Sequence, residues 1–313
     1  MPQNIGTICL VIGAMKAGTT SLYHYLSQHP QVAPSSIKEP AFFADDAVWN
    51  RGVDWYMALW DPDPHQHRVA LEASTDYTKR PFLPLVPERI ATLPGVRVRF
   101  IYLMRHPLRR LESQARHAAR VGAELAHMIE PTRDFSLDAG VSERGIMTSR
   151  YAYQLDAFTA RFPAADVLPL VFEDMKAAPQ ATLDRVCDFL GLDRFEPAAF
   201  ATHNSAADRK QPPPVWAQLA RVPAARALAA RVTSSAFRKR LRRRLGHEVP
   251  GRFQLTAEEE ATVLNILGPD LGRLRDNYGI DPRRAWGIDP DGLDPARAPR
   301  GLRHLADQDL PGT

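Results

Sequence analysis

The sequence predicts an α/β fold, a three-layer sandwich with a central parallel sheet flanked by helices. Three observations lead there. Short apolar runs recur along the chain, each bounded by turn residues. Amphipathic stretches separate them. The first run passes through a small-residue loop into a helical pattern, as strand-loop-helix units do.

The elements follow in order. Residues 8–12 (ICLVI) form an apolar run ending at Gly13, which suits a buried parallel strand. Thr19 or Thr20 then suits the cap of a helix reaching about Gln28, with Leu22, Tyr25 and Leu26 on one face. Pro30 and Pro34 break the next stretch. Residues 69–72 give a second short strand. Residues 96–104 (VRVRFIYLM) give the clearest one, ending at Arg105. Pro107 fits the first turn of a helix to about Arg120. Residues 121–147 lack a period and are expected to include a mobile loop. Tyr151, Leu155, Phe158 and Phe162 mark another helix, and residues 167–172 a strand that Pro169 demotes toward an edge. Leu183, Val186, Cys187 and Leu190 form a helical stripe ended by Gly191. Thr256 and Glu259 make a capping box for a helix carrying Leu264, Leu267, Leu271 and Leu274. From Asp281 the chain turns Pro-, Gly- and Asp-rich. The expected division is therefore one domain, 1–280, and an extended or partly disordered tail, 281–313.

Composition narrows the function classes. The chain has 313 residues, 44% hydrophobic and 24% charged, enough for a sizeable core. Cys9 and Cys187 are its only cysteines, which excludes a disulfide framework and a multi-cysteine zinc site. No apolar run approaches the ~20 residues of a membrane span. The N-terminus lacks a basic leader, so a cytoplasmic protein is expected. His65 and His67, beside Pro64, read as exposed loop residues rather than metal ligands.

The net charge of +4 is unevenly distributed. Residues 209–247 carry 11 basic residues and no acid; elsewhere 29 basic residues face 36 acidic ones, a net of −7. A local basic segment, rather than a uniformly basic surface, argues against nucleic acid as the partner. Residues 221–244 read either as a solvated helical face or as a flank that attracts an anionic donor, glycan or peripheral membrane surface. The sequence leaves the oligomeric state open.

Gly13-Ala14-Met15-Lys16-Ala17-Gly18-Thr19-Thr20 lies between a strand and a helix. Small residues there let backbone N–H groups approach a phosphate, and the helix N-terminus adds partial positive charge. The alternative is a glycine turn that only packs helix on sheet. The loop is not a Walker A sequence, because Thr19 holds the Walker lysine position and Lys16 lies inside the loop. A second signal follows the third predicted strand. Arg105 leaves the sheet at the edge where open α/β sheets bind ligands, and Ser113 lies eight residues on, two turns into a helix. The pair can grip a second phosphate without a metal, where a nucleotide hydrolase would place a magnesium-binding Asp.

With its internal lysine and Arg-x7-Ser, the chain resembles the sulfotransferases that use 3′-phosphoadenosine 5′-phosphosulfate (PAPS), which have a P-loop-type fold. The ordered set of motifs is closest to the heparan-sulfate and carbohydrate branch, and a soluble bacterial-type member without the Golgi enzymes' membrane anchor is expected. Lys38-Glu39-Pro40-Ala41-Phe42-Phe43 resembles that branch's Glu-x-x-Phe-Phe stretch. Gly52-Val53-Asp54-Trp55-Tyr56 resembles its Gly-x-x-Trp-Tyr segment. Glu72-Ala73-Ser74-Thr75-Asp76-Tyr77 resembles its Glu-Lys-Ser/Thr-x-x-Tyr segment, with Ala73 where the family has lysine. Phe189-Leu190-Gly191-Leu192 resembles a later helix end. The family's late Lys-Gly-Arg element has no clear match; Arg209 and Lys210 are the candidates for its place.

The resemblance implies in-line transfer of a sulfuryl group from PAPS to an acceptor hydroxyl or amine, with 3′-phosphoadenosine 5′-phosphate (PAP) as product and no metal. The acceptor would be a glycan, glycolipid or secondary metabolite. Glu39 would be the base and Lys16 the cation on the leaving oxygen, with Glu72 as rival base and Lys38 as a supporting charge. A carboxylate merely paired with Lys38 is the plainer reading of Glu39. Lys16, Ala17, Gly18, Thr19 and Thr20 would hold the 5′-phosphosulfate. Arg105 and Ser113, with Arg209 and Lys210, would hold the 3′-phosphate. Trp55 and Tyr56 fit either sugar stacking or the core, His106 would orient its loop, and Tyr151 reads as a core residue. The alternatives are a P-loop kinase or nucleotide hydrolase, and a non-catalytic nucleotide- or polyanion-binding protein.

Overall fold

The computed structural model describes residues 6–125, 142–200 and 254–307, with side chains placed up to residue 117 in the first stretch. Five parallel strands form the sheet in the order β2-β3-β1-β4-β5. They are β1 (Thr7–Gly13), β2 (Val32–Pro34), β3 (Val69–Ala73), β4 (Arg97–Met104) and β5 (Val167–Val171). Ile8 to Ile12 on β1 and Phe100 to Met104 on β4 are buried, as central parallel strands covered on both faces must be. Pro169 sits on edge strand β5 opposite Tyr102, so the sequence placed that strand correctly. β2 was not foreseen: three residues between prolines carry no readable period.

Helices α1 (Thr19–Leu26), α2 (Asp46–Trp49), α3 (Val53–Met57) and α4 (Val86–Ala91) accompany the first half. α5 (Pro107–Leu125) follows β4 and runs past the expected end at Arg120. Next come α6 (Glu143–Thr148), α7 (Tyr151–Thr159), α8 (Phe172–Ala177) and α9 (Pro179–Leu190), the last closed by Gly191 at φ 69°. Neither Thr19 nor Thr20 caps α1. Gly18 holds that position at φ 92°, with no side-chain cap, and Thr19 is the first helical residue.

The long helix α10 (Ala257–Tyr278) starts with the expected capping box. Its buried Asp270 accepts the amides of Ala152 (3.1 Å) and Tyr153 (2.8 Å), capping α7 from outside. The stretch expected to be an extended tail is instead folded through residue 307. Its Asp-Pro pairs are helix starts: Asp281, Asp289 and Asp294 each accept an amide two residues on, with proline at the first helical position. α11 (Pro282–Trp286) and the turns after it bury Trp286, Ile288, Leu302 and Leu305. Among the described residues no helix is long and apolar enough to cross a membrane. Residues 209–247, with Arg209, Lys210 and the 221–244 stretch, lie outside the described residues.

Candidate active site

The chain order reverses between β1 and β4. The chain winds outward from β1 to β2, returns through β3, then crosses β1 to β4. The crevice beyond the strand ends is where such sheets take ligands. Lys16 lies in the loop after β1, Lys38 and Glu39 in the segment after β2 and Arg105 directly after β4, while Glu72 stands near the end of β3 itself.

The loop after β1 is fixed by close contacts. The Ala14 amide donates to the Leu103 carbonyl of β4 (2.7 Å), and Ala17 to Ala14 (3.1 Å). A Cβ on Gly18 would lie 2.6 Å from the Phe172 ring. One on Gly13 would lie 2.2 Å from the Thr78 hydroxyl, which itself donates to the Ile12 carbonyl (2.9 Å). Only glycine fits these two places, so the backbone is packed close between β4, α8 and the turn after β3. Between them Lys16 is held at φ 69° and half-buried. Ala17 and Thr19 are buried and Thr20 is half-buried.

Arg105 and Lys16 come together. The Arg105 guanidinium donates to the Lys16 carbonyl (3.2 Å) and lies over the Phe172 ring, 5.1 Å from its centre. Burial lowers its pKa from the ordinary arginine value, with Glu173 opposing. The Arg105 carbonyl accepts the Tyr151 hydroxyl. Tyr151 is fully buried, as expected of a core residue, but it also fixes the end of β4. The His106 amide donates to Glu173 (3.1 Å), whose other oxygen accepts the Trp286 indole N–H (2.9 Å). Glu173 and Trp286 therefore brace this corner, and neither carried a sequence signal. Ser113 is half-buried on α5.

The two candidate bases differ sharply. Glu39 is exposed and paired with Lys38 (2.7 Å). It stands at φ 56° with Ala41 at φ 53°, bracketing Pro40. Among the described residues these two and Lys16 are the non-glycine positions with positive φ. Such conformations cost on the order of 1 kcal/mol each and cluster at functional sites. The turn is anchored behind. The Ala41 amide donates to the Ser74 hydroxyl (3.1 Å). Phe42 stacks on Tyr56 at 4.5 Å, and Phe43 meets Tyr77 edge-on at 5.4 Å; both phenylalanines are fully buried.

Glu72, the rival base, is completely buried rather than open to an acceptor, and accepts the hydroxyls of Tyr56 (2.7 Å) and Tyr77 (3.1 Å). Tyr56 is thus a core residue, while half-buried Trp55 lies under the Arg51 guanidinium at 3.9 Å. Burial raises the Glu72 carboxyl from 4.5 to about 7, against the hydroxyls of Ser74, Tyr56 and Tyr77, with the Glu39 charge adding to the rise. A carboxyl with a raised folded pKa keeps its proton longer in the fold than in the open chain. Its contribution to stability is full below about 4.5 and falls as pH rises to about 7. Glu72→Gln is therefore expected to flatten the loss of melting temperature between about pH 5 and pH 7.5. A slope equal to that of the unaltered chain contradicts this.

The family model described as "Sulfotransferase domain" matches residues 7–222. The chain belongs to the sulfotransferase family. Human bifunctional heparan sulfate N-deacetylase/N-sulfotransferase 2 is 26% identical to it over 199 residues, 59% of this chain and 22% of that protein. Mouse heparan sulfate glucosamine 3-O-sulfotransferase 3A1 is 28% identical over 191 residues, 59% of this chain and 46% of that protein. The chain therefore spans about a fifth to under a half of these relatives' length. A solved sulfotransferase from Alicyclobacillus acidocaldarius is 23% identical, with a TM-score of 0.48, covering 74% of this chain and 98% of that one.

The sequence singled out the loop, Arg105, Glu39 and Glu72; the structure joins Arg105 to the loop, exposes Glu39 and buries Glu72. It did not single out Arg110, whose guanidinium is buried and donates to the Met15 carbonyl of the loop. One arginine among 34 gave no signal.

Proposed function

We propose that this chain moves a sulfuryl group from PAPS to an acceptor hydroxyl or amine, without a metal. The observation that carries the reading is the contact between Arg105 and the Lys16 carbonyl. It sets a second cation beside a phosphate-type loop, at a strand end where a nucleotide hydrolase has a magnesium-binding acid. That favours a donor with two separate phosphate groups over ATP. The cradle also fits such a donor, because glycines hold its backbone where a Cβ would collide.

PAPS supplies an activated sulfate on a phosphate leaving group. The amides of Gly18, Thr19 and Thr20 and the threonine hydroxyls bind its 5′ end, Ala17 shapes the loop through its own bond to Ala14, and Lys16 offsets the charge that grows on the leaving oxygen. Arg105 and Ser113 hold the 3′-phosphate, with Arg209 and Lys210 as further candidates. Glu39 takes the acceptor's proton. Its exposure and anchored, left-handed turn suit contact with an incoming acceptor. Glu72 is assigned to support: it holds Tyr56 and Tyr77, which pack the Phe42-Phe43 anchor of the Glu39 turn. Lys38 orients Glu39.

The named relatives act on heparan sulfate, so a glycan is the proposed acceptor class. The two buried cysteines have no disulfide partner, which fits work in the cytoplasm. Transfer of radiolabelled sulfate from PAPS to a panel of glycans, glycolipids and small hydroxyl compounds tests the reading. Incorporation into glycan supports it. Incorporation into small compounds alone removes the acceptor class, and none into any acceptor counts against transfer.

A further inference from the structure

We infer that Arg110 is a positioning residue for the donor, a buried positive charge behind the phosphate loop that is neutralised by the bound anion. The inference rests on the donor reading above. Arg110 lies in the first turns of α5 and is completely inaccessible to solvent. Its Nε donates to the Ser149 hydroxyl (2.8 Å). Nη1 donates to the Gln114 side-chain oxygen (2.7 Å) and the Met15 carbonyl (3.4 Å), and Nη2 to the Gly145 carbonyl (2.5 Å). One guanidinium thus joins the phosphate loop to α5, α6 and the residue that ends α6.

All four partners are neutral. A guanidinium stays protonated in proteins, and a buried charge is normally paired. Arg150, also fully buried, shows the usual arrangement, with the Asp270 carboxylate acting on it. Among the described residues the groups that act on the Arg110 charge are the phenols of Tyr151 and Tyr102 and the cation of Arg105, with no carboxylate among them. Hydrogen bonds engage all three Arg110 side-chain nitrogens, but none of the described partners carries a negative charge. The Met15 carbonyl it touches precedes Lys16, and the Lys16 carbonyl takes Arg105. These contacts direct the Arg110 charge at the loop, on whose far side the donor's phosphates are proposed to sit. Through low-dielectric protein, with little screening by salt, such a charge acts across several ångströms.

A charge that acts on the bound donor equally before and during transfer changes the Michaelis constant rather than turnover. Two sets of variants of the full chain separate charge from packing. Arg110→Gln should weaken PAP about tenfold or more in calorimetry, raise the KM for PAPS by a similar factor, and leave kcat within about threefold. Arg110→Lys keeps the charge and should recover PAP affinity to within about threefold of the unaltered chain. Ser149→Ala keeps the charge and loosens one anchor; it too should bind PAP within about threefold. Ser149→Ala also decides the matter if Arg110→Gln does not fold. If Arg110→Gln binds PAP as tightly as the unaltered chain, or if Arg110→Lys or Ser149→Ala loses as much affinity as the neutral variant, the charge is not what acts and the inference fails. If the unaltered chain itself does not bind PAP, the donor reading fails first.

Discussion

Glu39→Gln is expected to lower the rate of sulfuryl transfer by about 10² to 10⁴ while PAP binds within about threefold of the unaltered chain. The substitution keeps shape and removes the basic oxygen. Glu39 is exposed, on a turn tied to Ser74 and anchored by Phe42 and Phe43, so the amide should sit where the carboxylate sat. Lys38 would lose its partner, but an exposed pair contributes little to stability. Steady-state transfer and calorimetry with PAP check the two halves separately. A Glu39→Gln protein that transfers normally, beside a Glu72→Gln protein that does not, reverses the roles assigned to the two carboxylates.

Lys16→Met should carry the second large effect, a fall in kcat of about 10² to 10³. Lys16 is the cation within the loop, and its backbone is held in the left-handed region by neighbours on β4, α5 and α8. Its charge is proposed to matter most as the bond to the leaving oxygen breaks. Turnover should therefore suffer more than PAP affinity. Equal loss in kcat/KM and PAP binding, with kcat unchanged, would show that Lys16 only binds the donor.

Much of this site could be read from residue order. A strand, a small-residue loop and a helix are local patterns, and so is an arginine at the end of an apolar run. Pro169 announced an edge strand because proline cannot donate to a ladder. Other features depended on partners distant in sequence. The two carboxylates looked alike until Tyr56 and Tyr77 closed over Glu72. The cap of α1 was misread because a left-handed glycine, not a threonine, turns the chain into the helix. The Asp-Pro pairs after Asp281 have the composition of a tail and the chemistry of helix starts; the buried Trp286 and Leu305 decide between them. Arg110 shows the limit most clearly. Its meaning lies in the absence of a contacting acid among the described residues, and no sequence pattern records that.

The central claim is that this crevice takes a nucleotide carrying a 3′-phosphate, held by Arg105 and Ser113 rather than by a metal. Calorimetry of PAP against ADP in the presence of a chelator tests it directly. Charge-assisted hydrogen bonds to one phosphate predict that PAP binds at least about tenfold more tightly, with Arg105→Ala removing most of the difference. Equal affinity for the two nucleotides, or binding that requires magnesium, would contradict the claim.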